Sequence, residues 1–307
     1  MNLKKPKKHL GQHFLHDENY LRKIVKSASI GGDDFCLEIG AGTGNLTRHL
    51  GAAAGRVVAV EVDSGLAEQL RVKFPNVCVV EGSILKTDLA QLLSDVGAHG
   101  CAPLLHTAQI TGTGTGAIKR WKVVANLPYY ITTPIIFQLL ENKRFFSGIY
   151  LLVQREVAER IVAAHGSKTY GALSIMCQIE AECRIGFKVP RTVFYPSPKV
   201  DSAFIELIPR AEPPFPIGNA EYFAAVVRCA FEHRRKTCYN SLCLGFSRGN
   251  YRDLLPKKTD PYELFAEILA EAGIKKEQRP ETIPIENFAR LAVLMQNKID
   301  FQSNESR

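Results

Sequence analysis

Cys36-Leu37-Glu38-Ile39-Gly40-Ala41-Gly42-Thr43-Gly44-Asn45-Leu46-Thr47 passes from an apolar run, through three alternating glycines, into a segment of helical character. That order predicts a buried strand, a tight turn and a helix opening near Asn45. Glycine in such a turn permits backbone conformations that other residues resist, and it lets a ligand approach the chain beside a helix N-terminus. A purely structural turn is the plain alternative for the glycines taken alone. The spacing G-x-G-x-G also departs from the G-x-G-x-x-G of dinucleotide-binding loops. A second apolar run, 57–60, leads into Glu61, which stands 21 positions after Gly40. An acid at the end of the second strand of a doubly wound fold can accept both hydroxyls of a cofactor ribose.

Outward from this loop, short apolar runs alternate with helix-like segments. Buried parallel strands are predicted at 35–39, 56–60, 77–80, 121–125 and 149–153, with helices at 45–50, 64–74, 87–93, 133–141 and 155–164. Such alternation argues for an α/β fold, a Rossmann-like doubly wound sheet. Two later segments, 182–188 and 202–208, suit a hairpin at the sheet edge. Beyond Pro209 the pattern changes: Ala211-Glu212-Pro213-Pro214-Phe215-Pro216 reads as a stiff linker, and helices alone are predicted at 220–232, 262–272 and 285–297. The expected organisation is a first domain over 1–210 and a small all-helical domain over 211–307. Residues 97–118 carry no charged side chain and include Thr-Gly-Thr-Gly-Thr-Gly at 111–116, as expected of a flexible surface insertion.

At 307 residues, 46% hydrophobic and 23% charged, the chain can bury one or two cores and is too apolar for a disordered polymer. Its net charge of +8 raises nucleic acid or an anionic membrane as partner. The charge is local. Lys4, Lys5, Lys7 and Lys8 give residues 1–8 a charge of +4, and residues 228–258 carry +6. That second block comprises Arg228, Arg234, Arg235, Lys236, Arg248, Arg252, Lys257 and Lys258 against Glu232 and Asp253, leaving −2 for the rest of the chain. A solvated face is the bland alternative for either block. The basic N-terminus lacks a signal peptide's apolar core, and no run of about 18 apolar residues occurs, so a cytosolic protein without membrane contact is expected. The eight cysteines form no C-x-x-C pair. They are expected to be reduced, buried and free of metal.

Asn126-Leu127-Pro128-Tyr129-Tyr130 follows the fourth predicted strand, at the carboxyl edge where doubly wound folds place their chemistry. Its first four residues resemble the (N/D)-P-P-Y motif of methyltransferases acting on exocyclic amines, and an exocyclic adenine nitrogen is a poor nucleophile because its lone pair is delocalised into the ring. The Asn126 side-chain oxygen and the Leu127 carbonyl could accept its two N–H groups and hold it closer to tetrahedral, so that no strong base is required. Tyr129 would stack on an extruded base. A plain strand-to-helix loop capped by Thr132 or Thr133 ahead of Pro134 is the alternative. The E-x-G-x-G-x-G loop with Glu61 resembles the S-adenosylmethionine-dependent methyltransferases.

Further stretches narrow the resemblance. His9 to Leu15 is similar to a G-Q-N-F-L motif, Phe194 to Ser202 to F-x-P-x-P-K-V-D-S, and Phe231 to Leu242 to F-x-x-R-R-K-T-L-x-N-S-L. With Gln154-Arg155-Glu156-Val157-Ala158, their order resembles the KsgA/RsmA family of small-subunit rRNA adenine N6-dimethyltransferases. The resemblance implies dimethylation of two adjacent adenines in the 3′-terminal hairpin loop of 16S rRNA within an assembling 30S subunit. S-adenosylmethionine would be the methyl donor and S-adenosylhomocysteine the product. Carried over by position, the cofactor residues are Gln12, His13, Leu15, Gly40, Gly42, Glu61, Ser83 and Asn126, with Gln12 supporting the N-terminal strand. The catalytic residues are Asn126, Leu127, Pro128 and Tyr129, with Phe194 closing a base sandwich opposite Tyr129. Lys4, Lys5, Lys7, Lys8, Arg234, Arg235, Lys236 and Arg248 would bind RNA, with the chain acting as a monomer.

Three positions depart from the pattern. His13 stands where Asn is usual, Cys238 where Leu is usual, and Ser83 where an Asp accepts from the cofactor's adenine amino group. Loss of that charge-assisted bond would weaken cofactor binding by about 1–2 kcal/mol. Two rivals are a 23S rRNA methyltransferase sharing the glycine loop and a binding factor without turnover. The F-x-P-x-P-K-V-D-S and R-R-K-T-x-x-N-S-L matches favour the small subunit over the first, and intact Glu61, Asn126 and Tyr129 oppose the second.

Overall fold

The computed structural model describes Lys7 and residues 11–99, 120–233 and 235–305. Its contacts divide the chain into two units, Met1–Ala158 with Ala181–Arg210, and Glu159–Glu180 with Ala211–Arg307.

The first unit opens with β1 (Phe14–Leu15) and α1 (Glu18–Ser27), then alternates β2 (Phe35–Ile39), α2 (Asn45–Ala53), β3 (Arg56–Glu61), α3 (Ser64–Lys73), β4 (Cys78–Glu81), α4 (Leu89–His99), β5 (Trp121–Asn126), α5 (Thr132–Glu141), β6 (Phe146–Gln154) and α6 (Arg155–Ile161). After α7 (Ala172–Glu180) come β7 (Ala181–Val189), β8 (Phe194–Tyr195) and β9 (Ser202–Pro209). Seven strands form one sheet in the order β4-β3-β2-β5-β6-β9-β7. The first five run parallel, while β9 pairs antiparallel with β6 and with β7. The expected edge hairpin is therefore present, with β9 on its inner side. Strands β2, β3, β5 and β6 are buried along most of their length. Both faces are covered, which is why these strands read as unbroken apolar runs.

Strand order reverses at β2: the chain fills β3 and β4 on one side and returns to place β5 on the other. Register pairs Ile39 with Ala125, so Gly40 and Asn126 leave the sheet side by side. This is the topological switch point, where open α/β sheets bind their ligands.

The second unit packs α8 (Ala220–Glu232), α9 (Cys238–Arg248), α10 (Pro261–Glu271) and α11 (Ile285–Glu305) around one apolar core. Phe223, Phe246, Phe265 and Phe288 are almost wholly buried in it. Asn219, Thr237 and Asp260 cap the N-termini of α8, α9 and α10 with side-chain oxygens. Helix α9 was not among the expected helices. Its buried stripe includes Cys238, Ser241, Cys243 and Gly245, residues too small or polar to announce an apolar face. The expected boundary after Arg210 needs one correction, because Glu159–Glu180 belongs to the helical unit. Tyr170, Ile175 and Ile179 join its core, and the Tyr170 hydroxyl donates to the Ile283 carbonyl at 3.1 Å. The segment reads as part of the sheet domain only because it lies between two of that domain's strands in sequence. Of the expected insertion at 97–118, residues 97–99 continue α4 and the remainder lies outside the described residues.

Candidate active site

The glycine loop is built as the sequence predicts. Gly40, Gly42 and Gly44 have φ of +71°, +56° and +81°. At two of them space is also closed: a Cβ on Gly42 would come within 2.8 Å of the Phe14 ring, and one on Gly44 within 2.4 Å of Phe74. The Gly42 N–H donates to Glu61 Oε2 at 2.7 Å, and the Asp63 N–H donates to Oε1 at 2.9 Å. The Glu61 side chain is thereby fixed at the end of β3, 4% exposed. Burial raises its pKa, partly offset by the N–H groups of Asp63 and Gly42. Asp63 caps α3 through the N–H groups of Gly65 and Leu66, and Lys7 Nζ lies 2.8 Å from its Oδ2. Burial works to raise the Asp63 carboxyl, but the Lys7 ammonium and these N–H groups outweigh it and hold it below its usual range. Helix α2 begins at the left-handed Gly44 with no side-chain cap, so its first N–H groups are directed at the loop.

Beneath the loop, Glu38 is 1% exposed and its Oε2 has no hydrogen-bond partner. Burial, and after it the neighbouring Glu61, push its pKa up to about 8, against the pull of Thr47. Folding therefore favours a neutral Glu38 carboxyl. Because the folded pKa lies above the ordinary 4.5, unfolding releases a proton between these values, and stability falls as pH rises from about 4.5 to about 8. Glu38→Gln removes this dependence. Denaturant melts of the cofactor-free chain are expected to show a stability gain for Glu38→Gln at pH 8.5 exceeding that at pH 5, by on the order of a few kcal/mol. Equal gains at both pH values contradict a protonated Glu38.

A strap formed by residues 11–15 crosses the carboxyl ends of the strands. Asn126 Nδ2 donates to the His13 carbonyl at 2.8 Å, Asn45 Nδ2 donates to the Leu15 carbonyl at 2.8 Å, and the Lys7 N–H donates to Gln12 Oε1 at 2.8 Å. His13 Nδ1 lies 2.6 Å from the Pro196 carbonyl. A carbonyl only accepts, so Nδ1 carries the proton. The His13 ring stacks on Tyr129 with centroids 5.5 Å apart and planes 27° apart. At its other end the Tyr129 hydroxyl meets Ser202 Oγ at 2.8 Å, and Ser202 is fully buried. Tyr129 is thus held by its face and its tip. Burial pushes its phenol pKa up, partly countered by the Ser202 bond. Leu127 is tied by its N–H to the Leu152 carbonyl at 3.1 Å, and the Pro128 carbonyl accepts the Thr132 hydroxyl at 3.1 Å.

Gln12, His13, Gly42, Glu61, Asn126 and Tyr129 share one cleft of about 570 Å³, counting the part open to solvent. Glu38, Leu15 and Asn45 line an adjoining recess that Asn126 also borders.

A profile of the family described as ribosomal RNA adenine dimethylase matches residues 3–288. The chain belongs to the ribosomal RNA adenine dimethylase family. It is 41% identical over 296 residues to the ribosomal RNA small subunit methyltransferase A of Moorella thermoacetica, covering 95% of this chain and 93% of that protein. Its counterpart of the same name in Lysinibacillus sphaericus is 39% identical over 289 residues, covering 93% and 89%. Among solved structures, a dimethyladenosine transferase from Plasmodium falciparum matches with a TM-score of 0.72, 26% identity and coverage of 93% and 98%. The 23S rRNA methyltransferase ErmE matches with a TM-score of 0.61, 25% identity and coverage of 92% and 99%.

Within this dimethylase fold the expected site residues divide. Gln12, His13, Leu15, Gly40, Gly42, Glu61, Asn126, Leu127, Pro128 and Tyr129 come together at the switch point. Ser83 does not. It follows β4, two strands out from β2, and lines neither the cleft nor the recess. Phe194 is 3% exposed and belongs to the buried cluster that includes Leu15 and Phe204. Register supplies the reason: Phe194 pairs with Leu15, whereas Tyr195 pairs with Phe14, which lines the cleft. Successive strand residues face opposite sides, so Tyr195 shares a face of this ribbon with Phe14.

Among the expected RNA contacts, Arg235, Lys236 and Arg248 are exposed in the helical unit. Lys7 is paired with Asp63, and Lys4, Lys5, Lys8 and Arg234 lie outside the described residues. Arg252 of the basic block donates to the carbonyls of Leu255, Pro256 and Lys257, which marks it as a structural residue. Sequence reasoning passed over Glu38 and Ser202 as site residues. Both stood inside quoted motifs, but only burial and the partner across the fold give them meaning. Among the described residues no group of three or more His, Cys, Asp or Glu side chains is placed to hold a metal ion, and no helix is long and apolar enough to cross a membrane.

Proposed function

We propose that this dimethylase transfers methyl groups from S-adenosylmethionine to N6 of two adjacent adenines in the 3′-terminal hairpin loop of 16S rRNA during small-subunit assembly. The observation that carries the reading is Asn126, oriented by the His13 carbonyl at the switch point between the glycine loop and the doubly held Tyr129. The chain's residues fit the cofactor. Glu61 retains acceptor capacity beyond its two N–H bonds for ribose hydroxyls. When bound, S-adenosylmethionine supplies an electrophilic methyl on a sulfonium.

The Asn126 amide donates through Nδ2 to the strap, which leaves Oδ1 as its acceptor. Oδ1 and the Leu127 carbonyl accept the two N–H groups of the amine and direct its lone pair toward the methyl. Tyr129 stacks on the extruded base and favours the positive charge that develops on it. The exposed Arg235, Lys236 and Arg248 serve rRNA phosphates, giving affinity without sequence readout. Replacing Arg234, Arg235 and Lys236 together by Gln is expected to weaken rRNA binding and to flatten the plot of log affinity against log salt by about 1 per residue removed. An unchanged slope means the block is a solvated face.

A ribosomal substrate puts the activity in the cytoplasm, and we assign it to a monomer. Presenting purified, unmethylated small and large subunits separately with labelled S-adenosylmethionine tests the assignment. Label is expected in small-subunit RNA. Label in large-subunit RNA alone favours the second reading, to which the similarity with ErmE points.

A further inference from the structure

Two tyrosines beside the cleft have no part in holding it together. Tyr130 and Tyr195 are each 59% exposed, the most exposed aromatic rings in the first unit among the described residues. They flank one element. Tyr130 lines the cleft with its ring seated on Gly11 of the strap, where φ is +56° and a Cβ would come within 3.1 Å of Tyr130 Cδ1. Tyr195 lies across from Phe14, three residues further along the same strap, and shares the ribbon face of that cleft-lining residue. No more than about 11 Å of chain separates the two seats. The held ring of Tyr129, with His13 stacked on it, belongs to the same cleft.

Water is a poor environment for the face of an aromatic ring, and burying these two rings in the core is open to the fold, as Phe194 shows. An unpaired nucleotide offers a matching flat surface, because every base has a π-face and stacking on tyrosine does not depend on sequence. An extruded adenine also leaves its neighbours without a stacking partner. We propose that Tyr130 and Tyr195 form a pair of stacking platforms for the unpaired nucleotides on either side of the adenine presented to Asn126. The proposal rests on the RNA-methylating reading given above and assigns to it two substrate-binding residues at positions where the motifs specify no residue. Phosphates bound by the helical unit give grip, and the two platforms set which nucleotide reaches the cleft.

The test is steady-state methylation of unmethylated small subunits by the full chain carrying Tyr130→Ala, Tyr195→Ala or both. Each single variant is expected to raise KM roughly 5- to 100-fold, with the loss falling mainly on KM and far less on kcat. Phe at either position is expected to restore KM, and Leu is not, because Leu matches the apolar surface without the π-face. Far-ultraviolet circular dichroism, unchanged across the series, reports an intact fold. Wild-type KM in both alanine variants, or rescue by Leu equal to that by Phe, overturns the proposal. A second readout uses a short unpaired RNA with 2-aminopurine beside the target adenine. Its fluorescence is expected to be quenched by the wild-type chain and not by the double alanine variant, and equal quenching by both overturns the platforms. If the wild-type chain labels no small-subunit RNA, the functional reading fails by itself, and the quenching still decides whether these rings stack on nucleotides.

Discussion

Asn126→Ala is expected to reduce methyl transfer by at least about 10³-fold while rRNA binding stays near wild type. Its effect is large because the side chain makes two connections at once. Nδ2 donates to the His13 carbonyl and so fixes the strap over the cleft, and the same bond leaves Oδ1 for the reacting amine. Preorganised polar groups aimed at a reacting atom contribute about 10²–10³ each, and here the strap's placement is lost as well. Asn126→Asp separates the contributions. It keeps acceptors for the amine but sets a carboxylate against the His13 carbonyl, so activity is expected to remain low. Single-turnover methylation of small subunits, alongside filter-binding affinity for the rRNA, checks both variants. Transfer at the wild-type rate by Asn126→Ala removes Asn126 from the chemistry.

The second large effect is expected at Glu61. Two backbone N–H groups, from Gly42 and Asp63, converge on its buried carboxyl and offset part of the rise in pKa that burial causes. Glu61→Gln offers only one oxygen to them, so the new amide N–H₂ confronts an N–H or turns toward the ribose site as a donor. Each charge-assisted bond is worth about 1.5–3 kcal/mol, and losing those to the two ribose hydroxyls weakens cofactor binding by about 10²-fold or more. Calorimetric titration with S-adenosylhomocysteine measures this directly. Glu61→Ala is expected to lose binding to a similar degree and to lower stability besides, because both N–H groups are left unsatisfied in a buried loop. An unchanged dissociation constant in Glu61→Gln contradicts the ribose assignment.

The parallel strands were legible because both of their faces are covered, so that 35–39 or 121–125 contains little else than apolar residues. Gly40, Glu61 and Asn126 were legible for a related reason: a doubly wound sheet puts loop, acid and reacting motif at successive carboxyl ends, and sequence order alone nearly fixes them. What escaped depends on contacts between distant residues. The two-residue ribbon of β1 and β8 is too short for any periodicity, and only its register shows that Tyr195 and not Phe194 shares a face with Phe14. The bond from Tyr129 to Ser202 joins residues 73 positions apart. Glu159–Glu180 joins the helical unit because Ile175 and Ile179 pack there, a choice that its own sequence, equally suited to a sheet-covering helix, does not express.

The central claim is methyl transfer to two neighbouring adenines of the small-subunit rRNA. It is tested most directly by methylating unmodified small subunits with the purified chain and S-adenosylmethionine, then mapping the rRNA by nuclease fragments and mass. The expected result is one fragment from the 3′-terminal hairpin loop carrying four added methyl groups on two adjacent adenines. Methyl groups confined to another rRNA segment, or to large-subunit RNA, contradict it.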